Sequence, residues 1–319
     1  MEDYPRNVKE FDGRFRSEVG CREYLLQLRW PDGFRCPRCG CPESTLVRTR
    51  LLRCGACRHQ ASVTAGTIFQ DTRTPLRVWF QAMWWVTTQK NGASALGLQR
   101  VLGLPRYDTA WTMMHKLRRA MVRPGRDLLT GRVEVDECYV GGLEEDLPGR
   151  LNLEKALVVV AAQEDGPGIG RIRMRQIVDA SAESLMPFIQ ESVAPGSVIH
   201  TDGWLGYSPL ERNGYEHETT FLKRKKKTPS ELMPRVHRVI SLLKRWLMGT
   251  HQGAVSHKHL DYYLDEFTFR FNRRRSKSRG KLFFRLVQQA VTVDAVTRYQ
   301  IVHTKPARTM GKPQSVGGW

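Results

Sequence analysis

The chain has 319 residues, 40% of them hydrophobic, and its 51 Lys and Arg against 32 Asp and Glu give a formal net charge of +19. At about 150 residues per domain this length allows two domains with a core each, and no apolar run approaches the roughly 18 residues that span a bilayer. A bare zinc peptide and a helical membrane protein are thereby excluded, and the cationic excess, which repels itself unless a polyanion shares the surface, points to nucleic acid as the partner.

The first residues carry Glu2 and Asp3 where a signal peptide has a basic region, and no apolar segment follows them. The expected location is therefore the cytoplasm, in association with the nucleoid. Apolar residues recur at helical spacing over residues 14–30, with Ser17 and Glu18 near the start; residues 1–30 are read as an N-terminal helical segment.

Residues 31–66 hold Cys36-Pro-Arg-Cys39 and Cys54-Gly-Ala-Cys57, two tight turns with 14 residues between them. Each turn aims two thiolates at one tetrahedral ion, and the segment from Ser44 to Arg53 has the length of a short hairpin joining them. This predicts a zinc ribbon in which Cys36, Cys39, Cys54 and Cys57 bind a structural Zn²⁺, since four thiolates leave no open position. Cys41 and His59 lie nearby and are read as a spare thiol and a surface imidazole.

Residues 67–125 are predicted to be helical and DNA-binding. Leu76, Phe80, Met83, Trp84 and Thr87 mark a buried helix over Leu76 to Lys90, with Thr74 placed to cap it and Pro75 in its first turn. Beyond Gly92 the pattern is helix, Gly103 turn, helix, the form of a helix-turn-helix, or in the plainer alternative an αα-hairpin packed on its neighbours. In that reading Asp108 caps the second helix, Trp111, Met114 and Leu117 or Arg118 line one stripe, and Lys116, Arg118 and Arg119 supply phosphate contacts.

After Pro124-Gly125 the apolar period changes from 3.6 to 2. Arg132 to Val140 alternates, Lys155 to Ala162 is a near-continuous apolar run suited to a central strand, and Arg171 to Val178 alternates with Ile172, Met174, Gln176 and Val178 on one face. A helix over Ala182 to Val193, a fourth strand over Ser197 to Thr201, and helices over Leu232 to Met248, Lys258 to Arg273 and Gly280 to Ala295 follow. Three strands, a helix, a strand and further helices predict an α/β domain of ribonuclease H-like fold over residues 126–296. Residues 297–319, without periodicity, are expected to be a disordered tail.

Asp136 and Asp202 each sit where a strand pattern meets a turn. If the first and fourth strands are neighbours, these carboxylates converge at one place on the sheet and offer hard oxygen ligands to Mg²⁺. Four segments then carry a resemblance: Glu134-Val-Asp136-Glu-Cys-Tyr-Val-Gly-Gly142, His200-Thr-Asp202-Gly-Trp-Leu-Gly-Tyr207, Ser241-Leu-Leu-Lys-Arg-Trp-Leu-Met-Gly-Thr-His251 and Tyr263-Leu-Asp-Glu-Phe-Thr-Phe-Arg-Phe-Asn-Arg273. Together they resemble the DDE-type insertion-sequence transposases of the Merlin-related group, in which an ISXO2-like transposase domain follows an N-terminal zinc ribbon.

That resemblance implies that Asp136 and Asp202 are the first two acidic ligands. The third in that family is commonly a Glu seven residues ahead of a Lys; aligned on Lys244, the position falls on His237, a departure that some members of the group share. His237, Ser241 and Lys244 lie on one face of a helix whose apolar stripe is Val236, Val239, Ile240, Leu243 and Leu247. An imidazole suits Mn²⁺ better than Mg²⁺, so the catalytic metal is expected to be one of these two, with His237 binding Mn²⁺ directly or holding a water on Mg²⁺. Glu231, Asp261, Asp265 and Glu266 are alternative third ligands. Lys244 and Arg245 are placed to grip a terminal phosphate, and Lys225, Lys226, Arg273 and Arg274, in two dense cationic runs, to track DNA backbones. Cys138 is read as a strand residue.

The expected function is metal-dependent cleavage of double-stranded DNA at terminal inverted repeats and transfer to target DNA, carried out by a homodimer or higher oligomer, with no membrane partner. A nuclease without strand transfer, and an inactive DNA-binding repressor, are the alternatives.

Overall fold

The computed structural model describes residues 2–47, 50–123, 125–141, 155–220, 228–253 and 255–303. The chain divides into two compact units, Met1–Pro124 with Arg275–Trp319, and Gly125–Arg274.

The first unit opens with α1 (Val8–Arg14) and α2 (Glu18–Arg29), capped by Asn7, which accepts from the Glu10 N–H, and by Ser17, which accepts from the Gly20 N–H. The helix expected over residues 14–30 is α2, which starts at Glu18 because Ser17 is extended and caps it; α1 precedes it and shares only Arg14 with the expected span. Strands β1 (Ser44–Val47), β2 (Leu51–Cys54) and β3 (Gln60–Ser62) form an antiparallel sheet in that order. Helices α3 (Leu76–Thr88), α4 (Ala95–Leu102) and α5 (Tyr107–Ala120) follow.

Two of the expected caps are corrected. Thr74 does not cap α3; its own N–H donates to Thr72 Oγ1, and the Leu76 and Arg77 amides donate instead to Glu18, at 3.0 and 2.9 Å. Asp108 lies inside the first turn of α5 rather than ahead of it, and its carboxylate pairs with Arg106 and Arg298 at 3.5 and 3.1 Å. Between α4 and α5 the chain turns at Gly103, whose φ of 60° is the left-handed conformation a glycine adopts without a Cβ penalty.

In the second unit, β4 (Arg132–Val140), β5 (Ala156–Asp165) and β6 (Gly168–Ile177) run antiparallel in series. Helix α6 (Ala182–Ser192) then returns the chain to β7 (Val198–Thr201), parallel to β4, and β8 (Glu216–Thr219) adds a parallel edge strand. Among the described residues the sheet order is β6-β5-β4-β7-β8. Helices α7 (Pro229–Leu232), α8 (Pro234–His251) and α9 (Leu260–Asn272) complete the unit. Elements and order are those of a ribonuclease H-like α/β fold.

Each face of this sheet has its own core. On one, Val133 and Val135 of β4 pack with Leu185, Phe188 and Ile189 of α6. On the other, Cys138 of β4 packs with the α8 stripe Val236, Val239, Ile240, Leu243 and Leu247, and with α9. Because side chains alternate along a strand, Glu134 and Asp136 share the α8 face with Cys138. Val178, expected in line with Ile172 and Met174, lies beyond the end of β6 and is 90% exposed.

Helix α10 (Arg279–Ala290), expected to close the catalytic domain, packs on α3 in the first unit. Its Phe283 enters an aromatic cluster with Phe11, Phe15, Tyr24, Phe80 and Trp84, at centroid distances of 5.4 to 6.4 Å. A Cβ at Gly280 would lie 1.7 Å from the Pro5 carbonyl oxygen, so only glycine admits this approach. The expected tail also differs, for Arg298–His303 form α11, tied to α5 through the Arg298–Asp108 pair; residues 304–319 lie outside the described residues.

Candidate active site and zinc centre

The hairpin of β1 and β2 brings the two cysteine turns together. Sγ of Cys36 is 3.6 Å from that of Cys57, and Sγ of Cys39 is 3.5 Å from that of Cys54. All four sulfurs lie within 4.8 Å of one another. A tetrahedral ion with Zn–S bonds of about 2.3 Å requires S–S edges of about 3.8 Å, so the thiols fit zinc closely. The Cys57 backbone N–H pulls the Cys54 thiol down to about 6, whereas, against the Cys41 backbone N–H, contact with the Cys57 and Cys54 sulfurs pushes the Cys39 thiol up to about 12. Neither Cys41 nor His59 belongs to this set.

In the second unit, β4 and β7 are neighbours in parallel register, with Glu134 opposite His200. Asp136 and Asp202 each lie two residues further along, so the two aspartates reach the same level of the sheet. Asp202 follows β7 directly, and its Oδ1 accepts the Trp204 N–H at 3.0 Å, holding the turn that leaves the strand. This turn is clamped further: the Trp204 indole donates to the Ala180 carbonyl at 2.7 Å, and a Cβ on Gly206 would stand 2.3 Å from the same oxygen.

His237 approaches Asp136 from α8, Nε2 to Oδ2 at 3.7 Å, with 22% and 17% of the two side chains exposed. That separation is too long for a hydrogen bond, and Nε2 is buried without a hydrogen-bond partner. Burial lowers the pKa of His237, opposed by the charges of Glu134 and Asp202, so the ring is neutral at pH 7 with a lone pair to offer. An imidazole with an unpartnered nitrogen beside a carboxylate is a donor pair suited to a divalent cation. Among the described residues, however, the four cysteines are the set of three or more donors close enough to share one ion, and Asp136, Asp202 and His237 do not form such a set.

A carboxylate that sequence reasoning passed over binds the start of α8. Glu134, 1% exposed, accepts the Arg235 and Val236 backbone N–H groups on Oε2, both at 2.8 Å, and pairs with the Arg235 guanidinium at 3.0 Å. Arg235 also reaches Glu164 at 2.6 Å and the Gly166 and Gly168 carbonyls at 3.0 and 3.2 Å. The only sequence signal was an acidic residue at an inward position of a strand that an apolar core should fill.

The other candidate third ligands have different work. Glu231 accepts from Thr228, Asp261 accepts the Gln176 N–H at 3.0 Å, and Glu266, fully buried, pairs with Arg270 at 2.8 Å. Asp265 is half-buried on α9. Burial pushes the Cys138 thiol up to about 12, in keeping with a strand residue rather than a nucleophile.

The expected phosphate-binding cations divide. Lys244 and Arg245 are exposed on α8. Lys116 and Arg119 are half-buried on α5. Arg118 is 2% exposed, so the sequence expectation is corrected: the i, i+4 packing of α5 turns this guanidinium inward, away from any phosphate. Arg273 stacks on Phe269 at 4.0 Å, and Arg274 spends its donors on the Gly170, Phe271 and Ile169 carbonyls, fastening α9 to the start of β6. Lys225 and Lys226 lie outside the described residues.

Comparison with known proteins finds a family match around each of these regions. Residues 128–272 match the ISXO2-like transposase domain, and residues 16–60 match the transposase zinc-ribbon domain. A Halobacterium salinarum protein described as an uncharacterized protein in transposable element ISH50 is 28% identical over 280 residues, 80% of this chain and 91% of its own length. Among the described residues no helix is long and apolar enough to cross a membrane.

Proposed function

We propose, from the matches to the ISXO2-like transposase domain and the transposase zinc-ribbon domain, that the chain is a DNA transposase that cleaves the terminal inverted repeats of its element and joins the ends to target DNA. The observation that carries this reading is the approach of His237 to Asp136 at the level of Asp202, on neighbouring strands of the domain that matches. In this reading Asp136, Asp202 and His237 hold Mg²⁺ or Mn²⁺. When bound, such ions activate a water or a DNA 3′-hydroxyl and neutralise the leaving oxygen.

The residues themselves divide the work. Asp136 supplies negative charge from the middle of β4, where the sequence pattern places it at a turn, and Asp202 from the turn directly after β7; neutral His237 supplies a nitrogen without adding charge. Lys244 and Arg245, exposed further along α8, attract the phosphate backbone toward this edge. The zinc ribbon and the α4–α5 pair provide the recognition of the repeats, and two protomers act together because two ends must be paired.

The test is a cleavage and strand-transfer assay on labelled DNA carrying the element ends, in Mg²⁺ and in Mn²⁺, with Asp136→Asn and His237→Ala beside the wild type. Joined products that vanish in both variants support the proposal. Cleavage without joining selects the nuclease. Specific binding with no chemistry selects the repressor, which the His at a position commonly occupied by Glu favours. Activity that survives Asp136→Asn removes the metal site altogether.

A further inference from the structure

We propose that Glu134 is a positioning residue of this site, a buried cap that fixes the rotation and height of α8 and so sets His237 opposite Asp136; the inference rests on the reading of Asp136 and His237 as one site. Glu134 and Asp136 lie two residues apart on the same face of β4, and Arg235 and His237 two residues apart at the start of α8. The strand therefore meets the helix twice, through the Glu134 carboxylate on the Arg235 and Val236 amides and through Asp136 facing His237.

The apolar stripe alone cannot set this register. Hydrophobic contact is non-directional, and Val236, Val239, Ile240, Leu243 and Leu247 choose a face of α8 without fixing its height on the sheet. A shift of one residue along the helix moves a side chain by about 1.5 Å and turns it by roughly 100°, enough to carry Nε2 away from Asp136. The amides at a helix start are orphan donors with positive partial charge, and a carboxylate accepting two of them, at 2.8 Å each, holds the first turn in one place. Arg235 braces the cap by binding the Gly166 and Gly168 carbonyls where β5 turns into β6. Glu134 has no route to substrate: it is 1% exposed, with Oε1 on the guanidinium and Oε2 on the two amides. Its influence reaches the site through His237.

The experiment is a coupling measurement on the full-length, zinc-loaded protein. The ring C–H signal of His237, assigned with His237→Ala, is followed by NMR in wild type, Asp136→Asn, Glu134→Gln and the double variant. In wild type the Asp136→Asn change shifts the His237 signal; with Glu134→Gln in place the expected shift falls to less than half, while circular dichroism shows the fold retained. A second arm titrates Mn²⁺ by electron paramagnetic resonance. There the binding lost in Asp136→Asn is expected to weaken at least tenfold in Glu134→Gln, the order seen when groups that orient a metal ligand are removed. Glu134→Ala is expected to be worse than Gln, which keeps an acceptor oxygen for the amides. An undiminished Asp136–His237 coupling in folded Glu134→Gln overturns the proposal, and leaves Glu134 with stability alone. Absence of Asp136-dependent Mn²⁺ binding in wild type would overturn the metal reading, and the NMR arm would still decide the role of Glu134.

Discussion

Tyr207 donates its phenolic hydrogen to Oε2 of Glu137 at 2.7 Å, across 70 residues of chain. It ties the turn that follows Asp202 to the strand that carries Asp136, from the sheet face opposite α8. Tyr207 is fully buried, and burial together with the Glu137 charge raises its pKa well above the ordinary value, so it remains a donor throughout the working pH range. Hydrogen bonds to charged groups contribute about 1.5–3 kcal/mol. Tyr207→Phe is expected to lose about that much in urea denaturation and to reduce end cleavage more than repeat binding. Unchanged stability would mean that the turn is held by its other contacts.

Gly206 tests those other contacts. Its missing Cβ would meet the Ala180 carbonyl oxygen at 2.3 Å and Leu185 Cδ1 at 2.9 Å. The obstacle includes backbone, which cannot swing aside, so Gly206→Ala is expected to cost about 1–3 kcal/mol by overpacking. Thermal denaturation measures it. A neutral result would show that the turn moves freely relative to α6.

Much of this was legible in the sequence because it obeys local rules. The four zinc thiols follow from their spacing and the apolar stripe of α8 from a period of 3.6, whereas His237 is singled out by the family resemblance, aligned on Lys244, with the helical period agreeing. What escaped is carried by partners distant in the chain. Glu18 caps α3 from 58 residues away and Glu134 caps α8 from 101, whereas a sequence rule looks for a cap next door and so chose Thr74. Strand β8, Glu-His-Glu-Thr, is too short and polar to show a pattern, and becomes a strand because β7 offers it a free edge. Arg118 looked like surface because a cation is commonly solvated, and α10 looked like part of the catalytic domain because it follows α9 in the chain; its Phe283 goes elsewhere.

Replacing His237 with Glu tests the metal reading by its preference. A neutral imidazole favours Mn²⁺ over Mg²⁺, and a carboxylate removes that bias. In wild type the ratio of cleavage rates is expected to favour Mn²⁺ strongly, and in His237→Glu to move toward Mg²⁺ by tenfold or more. An unchanged ratio would place His237 outside the metal sphere.

Thiol reactivity reports the zinc centre without any DNA. Cys21 and Cys138 are buried and their thiols are pushed up to about 12, while Cys41 is half-exposed and outside the four-sulfur set. With zinc bound, a thiol reagent is expected to modify Cys41 first. Chelation is expected to release Cys36, Cys39, Cys54 and Cys57 together, and Cys21 and Cys138 to react only on unfolding. Release of the four one by one, or their reaction before chelation, would speak against a single closed site.

Arg118 and Lys244 should separate stability from DNA contact. Lys244 is exposed on α8, and a cation that neutralises a phosphate contributes close to one unit to the dependence of log affinity on log salt. Lys244→Ala with Arg245→Ala is expected to flatten that slope by about two, with little change in thermal stability. Arg118, 2% exposed, is expected to do the reverse: Arg118→Ala lowers the melting temperature and leaves the slope unchanged. Fluorescence anisotropy across a salt series, beside thermal denaturation, reads both. A flattened slope in folded Arg118→Ala would show that α5 turns this side chain outward when it meets DNA, and would return it to the phosphate contacts from which its burial removes it.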